Sequence, residues 1–226
     1  RRLLMGTHIL LTRTYGKEAQ GFFANAAKGN APGVVVIQEW WGLSGNITAI
    51  CDRFALAGYD ALAPDLFGGT LVPYHDHNAA EEQVKNLDFA DAAQNSIRGA
   101  AKFLKRSSPK VAVVGFCMGG AVAMLAAAAP EISAVAQFYG LPPEHYLDVS
   151  KIKIPVQGHF SNTDDFVTPE RAKTFEAALN KAGVKHEIFG YDASHAFMNE
   201  QRDVYDRAAS ELAWGRLLGF LKTNLS

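Results

Sequence analysis

Apolar residues arrive along this chain in short, unbroken runs, separated by segments whose apolar positions recur at helical spacing. Val34 to Ile37, Tyr59 to Ala63, Val111 to Phe116, Ala134 to Tyr139 and Ile154 to Phe160 read as strands, and Lys185 to Tyr191 as a last one. A helix is expected from Asn46, taken as its cap. It carries Ile47, Ile50, Cys51 and Phe54 on one face and stops at Gly58. Glu81 to Lys105 reads as one long helix, weakest at Asn95 and Gly99. Pro169 opens a helix reaching Ala182, with Gly183 as its stop, and Asp203 to Leu221 reads as the closing helix. At the start, His8 to Arg13 and Ala19 to Ala24 form an antiparallel edge hairpin around Tyr15-Gly16-Lys17. Strands alternating with helices predict an α/β fold, a mostly parallel sheet covered on both faces, in one domain spanning 1–226. Functional groups are then expected at the carboxyl ends of the strands.

The run Val111-Ala-Val-Val-Gly-Phe-Cys-Met-Gly-Gly120, followed by Ala-rich sequence, reads as strand, tight turn and helix. Cys117 occupies the turn. G-x-C-x-G is the cysteine form of the strained nucleophile elbow, which exposes its reactive side chain at the sheet rim. Both nucleotide fingerprints fail here: there is no G-x-G-x-x-G and no Lys-Ser/Thr pair.

Composition narrows the function. The 226 residues are 48% hydrophobic with a net charge of −1, which supports a sizeable core and points away from nucleic acid and anionic membranes. No apolar run approaches the roughly 20 residues of a membrane span. The run in Arg1 to Gly6 is too short for a secretory leader. Two cysteines make no disulfide framework, which fits a cytoplasmic protein. His75-Asp76-His77 reads as a solvated loop, since two histidines without a third ligand do not make a metal site. Neither cofactor nor metal is expected.

Four candidate groups sit at strand exits: Glu39, Cys117, Asp164 or Asp165, and His195. Nucleophile, acid, then histidine is the chain order of α/β-hydrolase triads. A thiol of ordinary pKa near 8.5 needs a base to become thiolate. His195 supplies it, and an aspartate orients the imidazole. The N–H groups of Met118 and Trp40 are the expected oxyanion hole. Trp41 and Tyr139, also at strand exits, are candidate walls of the pocket. Glu39 could instead cap the helix that follows.

In Gln38-Glu39, Gly58-Tyr59, Pro64-Asp65-Leu66, Gly115 to Gly120, Asp164-Asp-Phe-Val167 and Ser194-His195-Ala-Phe197, the chain resembles the dienelactone hydrolases (carboxymethylenebutenolidases) from Val34 to its last helix. The resemblance implies an α/β-hydrolase fold and hydrolysis of an unsaturated lactone or related ester through an acyl-thioester on Cys117. It prefers Asp164 over Asp165 and implies that Glu39 pairs with the resting cysteine. It places Phe197 and Asn199 near the substrate. Two arginines hold the substrate carboxylate in that family. Here Asn199 stands where one belongs, and residues 66–97 contain none. A different, less anionic ester is therefore expected, handled by a monomer or small homo-oligomer. Two alternatives stay open: a glutaminase-like amidohydrolase, which would want a His-x-Glu where this chain has Phe197, and a non-catalytic binding member of the same fold.

Overall fold

The computed structural model describes residues 6–16 and 18–226. The leader-like start up to Met5 and the turn residue Lys17 lie outside the described residues. Eight strands form one sheet in the order β1-β2-β4-β3-β5-β6-β7-β8. β1 (Thr7–Thr12) and β2 (Glu18–Ala24) make the antiparallel hairpin, and β2 runs antiparallel to β4 (Asp60–Pro64). From β4 onward every pairing is parallel, through β3 (Gly33–Ile37), β5 (Val111–Phe116), β6 (Ala134–Phe138), β7 (Val156–Ser161) and β8 (His186–Tyr191).

The unbroken apolar runs have the cause inferred from the sequence. Successive side chains of a strand point to opposite faces, and both faces are covered. Val34 and Val36 of β3 join one core with Ile47 and Phe54 of α1 (Gly45–Leu56) and Leu217 of the last helix. Val35 and Ile37 join the other, with Leu104, Val122 and Leu179.

The helices depart from the sequence reading in three places. Asn46 does not cap α1. Ser44 holds that position without a side-chain hydrogen bond, and Asn46 is buried inside the helix. The single helix expected over Glu81 to Lys105 is broken. α2 (His77–Asn86) ends at Leu87, whose extended backbone turns the chain, and Asp88 recaps it by accepting from the Asp91 N–H at 2.9 Å. A short α3 (Phe89–Asp91), a π-helical turn over Ala92–Ile97 and α4 (Arg98–Leu104) follow. An isolated periodic pattern cannot show such a cap, because Asp88 looks like any polar surface residue. Last, α5 (Met118–Ala126) and α6 (Pro169–Ala182) are followed by α7 (Arg207–Leu225), which starts late because Asp206 caps it.

β5 delivers Cys117 into the elbow. Cys117 has φ 54° and ψ −122°, a conformation L-residues avoid, and its N–H bonds the Phe138 carbonyl at 2.9 Å. The chain can pass here only because its neighbours lack side chains. A methyl on Gly140 would overlap the Cys117 carbonyl, and one on Gly119 would run into the carbonyls of Ile37 and Gln38. Gly140→Ala should therefore lower the unfolding free energy by about 2–3 kcal/mol in urea titrations. Gly215→Ala, in open space on α7, should be neutral or stabilise by up to about 1 kcal/mol.

Candidate active site

Three strand exits converge on the elbow. His195 Nε2 lies 3.3 Å from Cys117 Sγ, and His195 Nδ1 lies 2.7 Å from Asp164 Oδ2. The carboxylate is fixed from behind: Asp164 Oδ1 accepts the N–H groups of Phe166 (2.8 Å) and Val167 (3.2 Å). The loops carrying Asp164 and His195 are tied to each other. The hydroxyls of Ser161 and Thr163 both donate to the Ala193 carbonyl, and Asn162 Nδ2 donates to Asp192 at 2.7 Å. The histidine loop is also anchored to α7, where Ser210 Oγ and the Asp206 N–H both donate to the Phe197 carbonyl.

Burial opposes a charge on His195. The Asp164 hydrogen bond and the adjacent Cys117 sulfur outweigh it and raise the imidazole to about 10. His159 of β7 behaves oppositely: fully buried, it is driven down to about 3 and lies stacked on Phe138. The N–H groups of Trp40 and Met118 have no acceptor among the described residues. Met118 opens α5, so its amide is one of the helix's four unpaired donors. Trp40 and Met118 both line a hollow with Cys117.

Glu39 is 1% exposed. Burial pushes its carboxyl up to about 6, against the lowering effects of Asn199, His195 and Arg202. Asn199 Nδ2 donates to Glu39 Oε2 at 2.6 Å. Glu39 Oε1 and the Tyr139 hydroxyl are both buried without a well-formed hydrogen bond, the phenol held beside the carboxyl. The pairing of Glu39 with the resting thiol expected from the family is absent among the described residues: Cys117 faces His195, and Glu39 faces Asn199. Glu39 does not cap α1.

Two hollows flank the Cys117–His195 pair, sharing Trp40 and Phe166 as walls. One, of about 340 Å³, is lined by Val84, Phe89, Met118, Leu141 and Val167, together with Tyr139 and Arg171. The other, of about 270 Å³, is the more polar of the two and is lined by Glu39, Trp41, His77, Asp165 and Arg202. Arg202 lies 5.1 Å over the Trp41 ring. His77, expected in a solvated loop, opens α2 and packs edge-on against both tryptophans.

Two expected substrate contacts are corrected. Phe197 is fully buried against Tyr139 and Tyr191, and Asn199 lies behind Glu39, so neither lines a hollow. The His-Ala-Phe segment turns inward at Ala196, φ 64°, which carries the following side chains into the core. Sequence reasoning missed Phe166 and Arg171. Phe166 is 61% exposed and rests 4.9 Å from the His195 ring. Its position five residues after the end of β7 was the available signal. Arg171, inside α6, gave none.

A glutaminase-like site would place its acid two residues after the histidine; here that residue is Phe197, and the imidazole's partner is Asp164. Comparison with known proteins agrees with the geometry. The sequence profile of the Dienelactone hydrolase family matches residues 19–225. "Protein usf" of Aquifex pyrophilus is 36% identical over 93% of this chain and 96% of its own length. A protein of Aquifex aeolicus named "Putative carboxymethylenebutenolidase" is 34% identical over 93% of this chain and 95% of its own. The solved "Putative Dienelactone Hydrolase" of Klebsiella pneumoniae superposes with a TM-score of 0.84 at 26% identity, covering 95% of this chain and 97% of that one. An elbow cysteine at the rim of an α/β-hydrolase sheet and a profile match over nearly the whole chain lead to one conclusion: this protein is a hydrolase belonging to the dienelactone hydrolase family.

Proposed function

We propose that the protein hydrolyses a lactone or related carboxylic ester by cysteine catalysis, with Cys117 as nucleophile, His195 as acid and base, and Asp164 as the group that orients the imidazole. The observation that carries this reading is the imidazole bridging sulfur and carboxylate, 3.3 Å on one side and 2.7 Å on the other. Those are distances for proton transfer and for fixing the tautomer.

In this reading His195 takes the thiol proton and Cys117 Sγ attacks the acyl carbon. The carbonyl electrons move onto oxygen, which the N–H groups of Met118 and Trp40 stabilise. Losing one such donor typically costs about 3 kcal/mol. Collapse expels the alkoxide, which leaves with the proton from His195 Nε2. Water, deprotonated by the now neutral imidazole, then cleaves the thioester, releasing the acid and restoring the thiol–imidazole pair. Glu39 stands beside this traffic as a buried carboxyl whose charge supports the imidazolium.

The decisive experiment is acyl trapping. Incubation with p-nitrophenyl acetate at low pH, followed by peptide mass mapping, should place the acyl mass on Cys117. Cys117→Ala should show neither the adduct nor turnover, and Asp164→Asn should lose about 10³–10⁴-fold in kcat while remaining folded. An unreactive Cys117 would instead favour the non-catalytic alternative. In the folded protein, iodoacetamide should label Cys117 before fully buried Cys51.

Glu39 makes a second prediction. Its folded pKa lies above the ordinary carboxylate value, moving from 4.5 to about 6. The folded state therefore binds this proton more tightly than the unfolded state, and stability falls as pH rises from about 4.5 to 6. The cost is complete above that window and amounts to about 2 kcal/mol. Glu39→Gln removes the charge and keeps an acceptor for Asn199. Its stability relative to wild type, measured in denaturant, should improve by about that amount between pH 4.5 and pH 8.

A further inference from the structure

Resting on that hydrolase reading, we infer that the 340 Å³ hollow is an acyl chamber for an uncharged, apolar group, and that carboxylated acyl groups are excluded from it. Val84, Phe89, Met118, Leu141 and Val167 supply an apolar lining. A carboxylate lodged there would lose its hydration and find no bidentate partner to replace it.

The apparent exception is Arg171, which besides His195 is the one cation lining the hollow among the described residues. A guanidinium offers a carboxylate two forked faces, Nε with Nη2 and Nη1 with Nη2. Both use an Nη2 hydrogen. In this molecule Arg98 shows the first face, holding Glu131 through Nε and Nη2 at 2.9 Å each. Arg171 has no such face to offer. Its Nη2 donates to the carbonyls of Leu141 (3.0 Å) and Pro142 (2.7 Å), and Nη1 donates to the Phe166 carbonyl at 3.4 Å. Arg171 is a positioning residue for the wall: it staples the loop after β6 to the loop after β7. At the other candidate position, Asn199 is neutral and already bonded to Glu39.

The chamber predicts a graded preference. Each methylene buried in it contributes about 0.8 kcal/mol, or about fourfold in kcat/KM. The p-nitrophenyl esters from acetate to hexanoate should rise by roughly that factor per carbon until the space is filled. Mono-p-nitrophenyl adipate has the six-carbon acyl chain of the hexanoate ester with a terminal carboxylate. It should fall at least about hundredfold below hexanoate, each ester being corrected for its uncatalysed rate. Val84→Lys, at a half-buried position on α2 that lines the hollow, should narrow that gap by raising adipate and lowering hexanoate. Cys117→Ala is the control. If wild type hydrolyses these esters through Cys117 but adipate keeps pace with hexanoate, or the neutral series is flat, the chamber inference fails and the hydrolase reading stands. If no ester shows Cys117-dependent turnover, the hydrolase reading falls and takes the inference with it.

Discussion

The site depends on one backbone residue held where L-amino acids do not rest. With φ at 54° and ψ at −122°, Cys117 turns the chain from a fully buried strand into a helix within a single residue. Such a conformation costs on the order of 1–3 kcal/mol and persists only where its surroundings leave no alternative. Here they leave none. Three strands run parallel beneath the turn, its amide is held by the Phe138 carbonyl, and Gly119 and Gly140 allow neighbouring backbones to close around it. Two results follow from the same geometry: the sulfur reaches the cleft at the strand exit, and the first amide of α5 has no acceptor among the described residues.

The rest of the constellation is held by the sheet at one remove. Asp164 and His195 sit on loops, which alone would be loose supports. Adjacent pairing of β7 and β8 brings the loops together, and hydroxyls from one converge on the Ala193 carbonyl of the other. Asp164 spends one oxygen on its own loop and the other on the imidazole. Catalytic precision of this kind comes from supporting contacts that lock the side chains before substrate arrives.

Much of this was legible in the sequence, for physical reasons. A strand buried on both faces must be apolar throughout, so β3, β5 and β6 could be located from composition alone. A nucleophile elbow must contain small residues at fixed offsets, which made Cys117 visible, and the chain order of nucleophile, acid and histidine followed. Contacts set by tertiary packing were not legible. Asp88 interrupting a long helix, Arg171 closing a wall from within α6, and Asn199 turned toward Glu39 rather than toward the cleft each depend on partners more than 20 residues away or on a local turn without a distinctive pattern. The family likeness pointed to Phe197 and Asn199 as substrate contacts because it fixes positions along the chain; the inward turn at Ala196 redirected their side chains.

The unequal setting of the two cysteines bears on how this protein would fare under oxidative stress. Cys51 is sealed in the core, with burial driving its thiol upward and away from reactivity, while Cys117 stands at the cleft beside an imidazole. A peroxide entering the cleft therefore meets the one sulfur the proposed chemistry uses, and the other thiol, Cys51, is buried and cannot resolve a sulfenic acid into a disulfide. Recovery would have to come from small thiols in solution, so the redox state of the surroundings would set the active fraction.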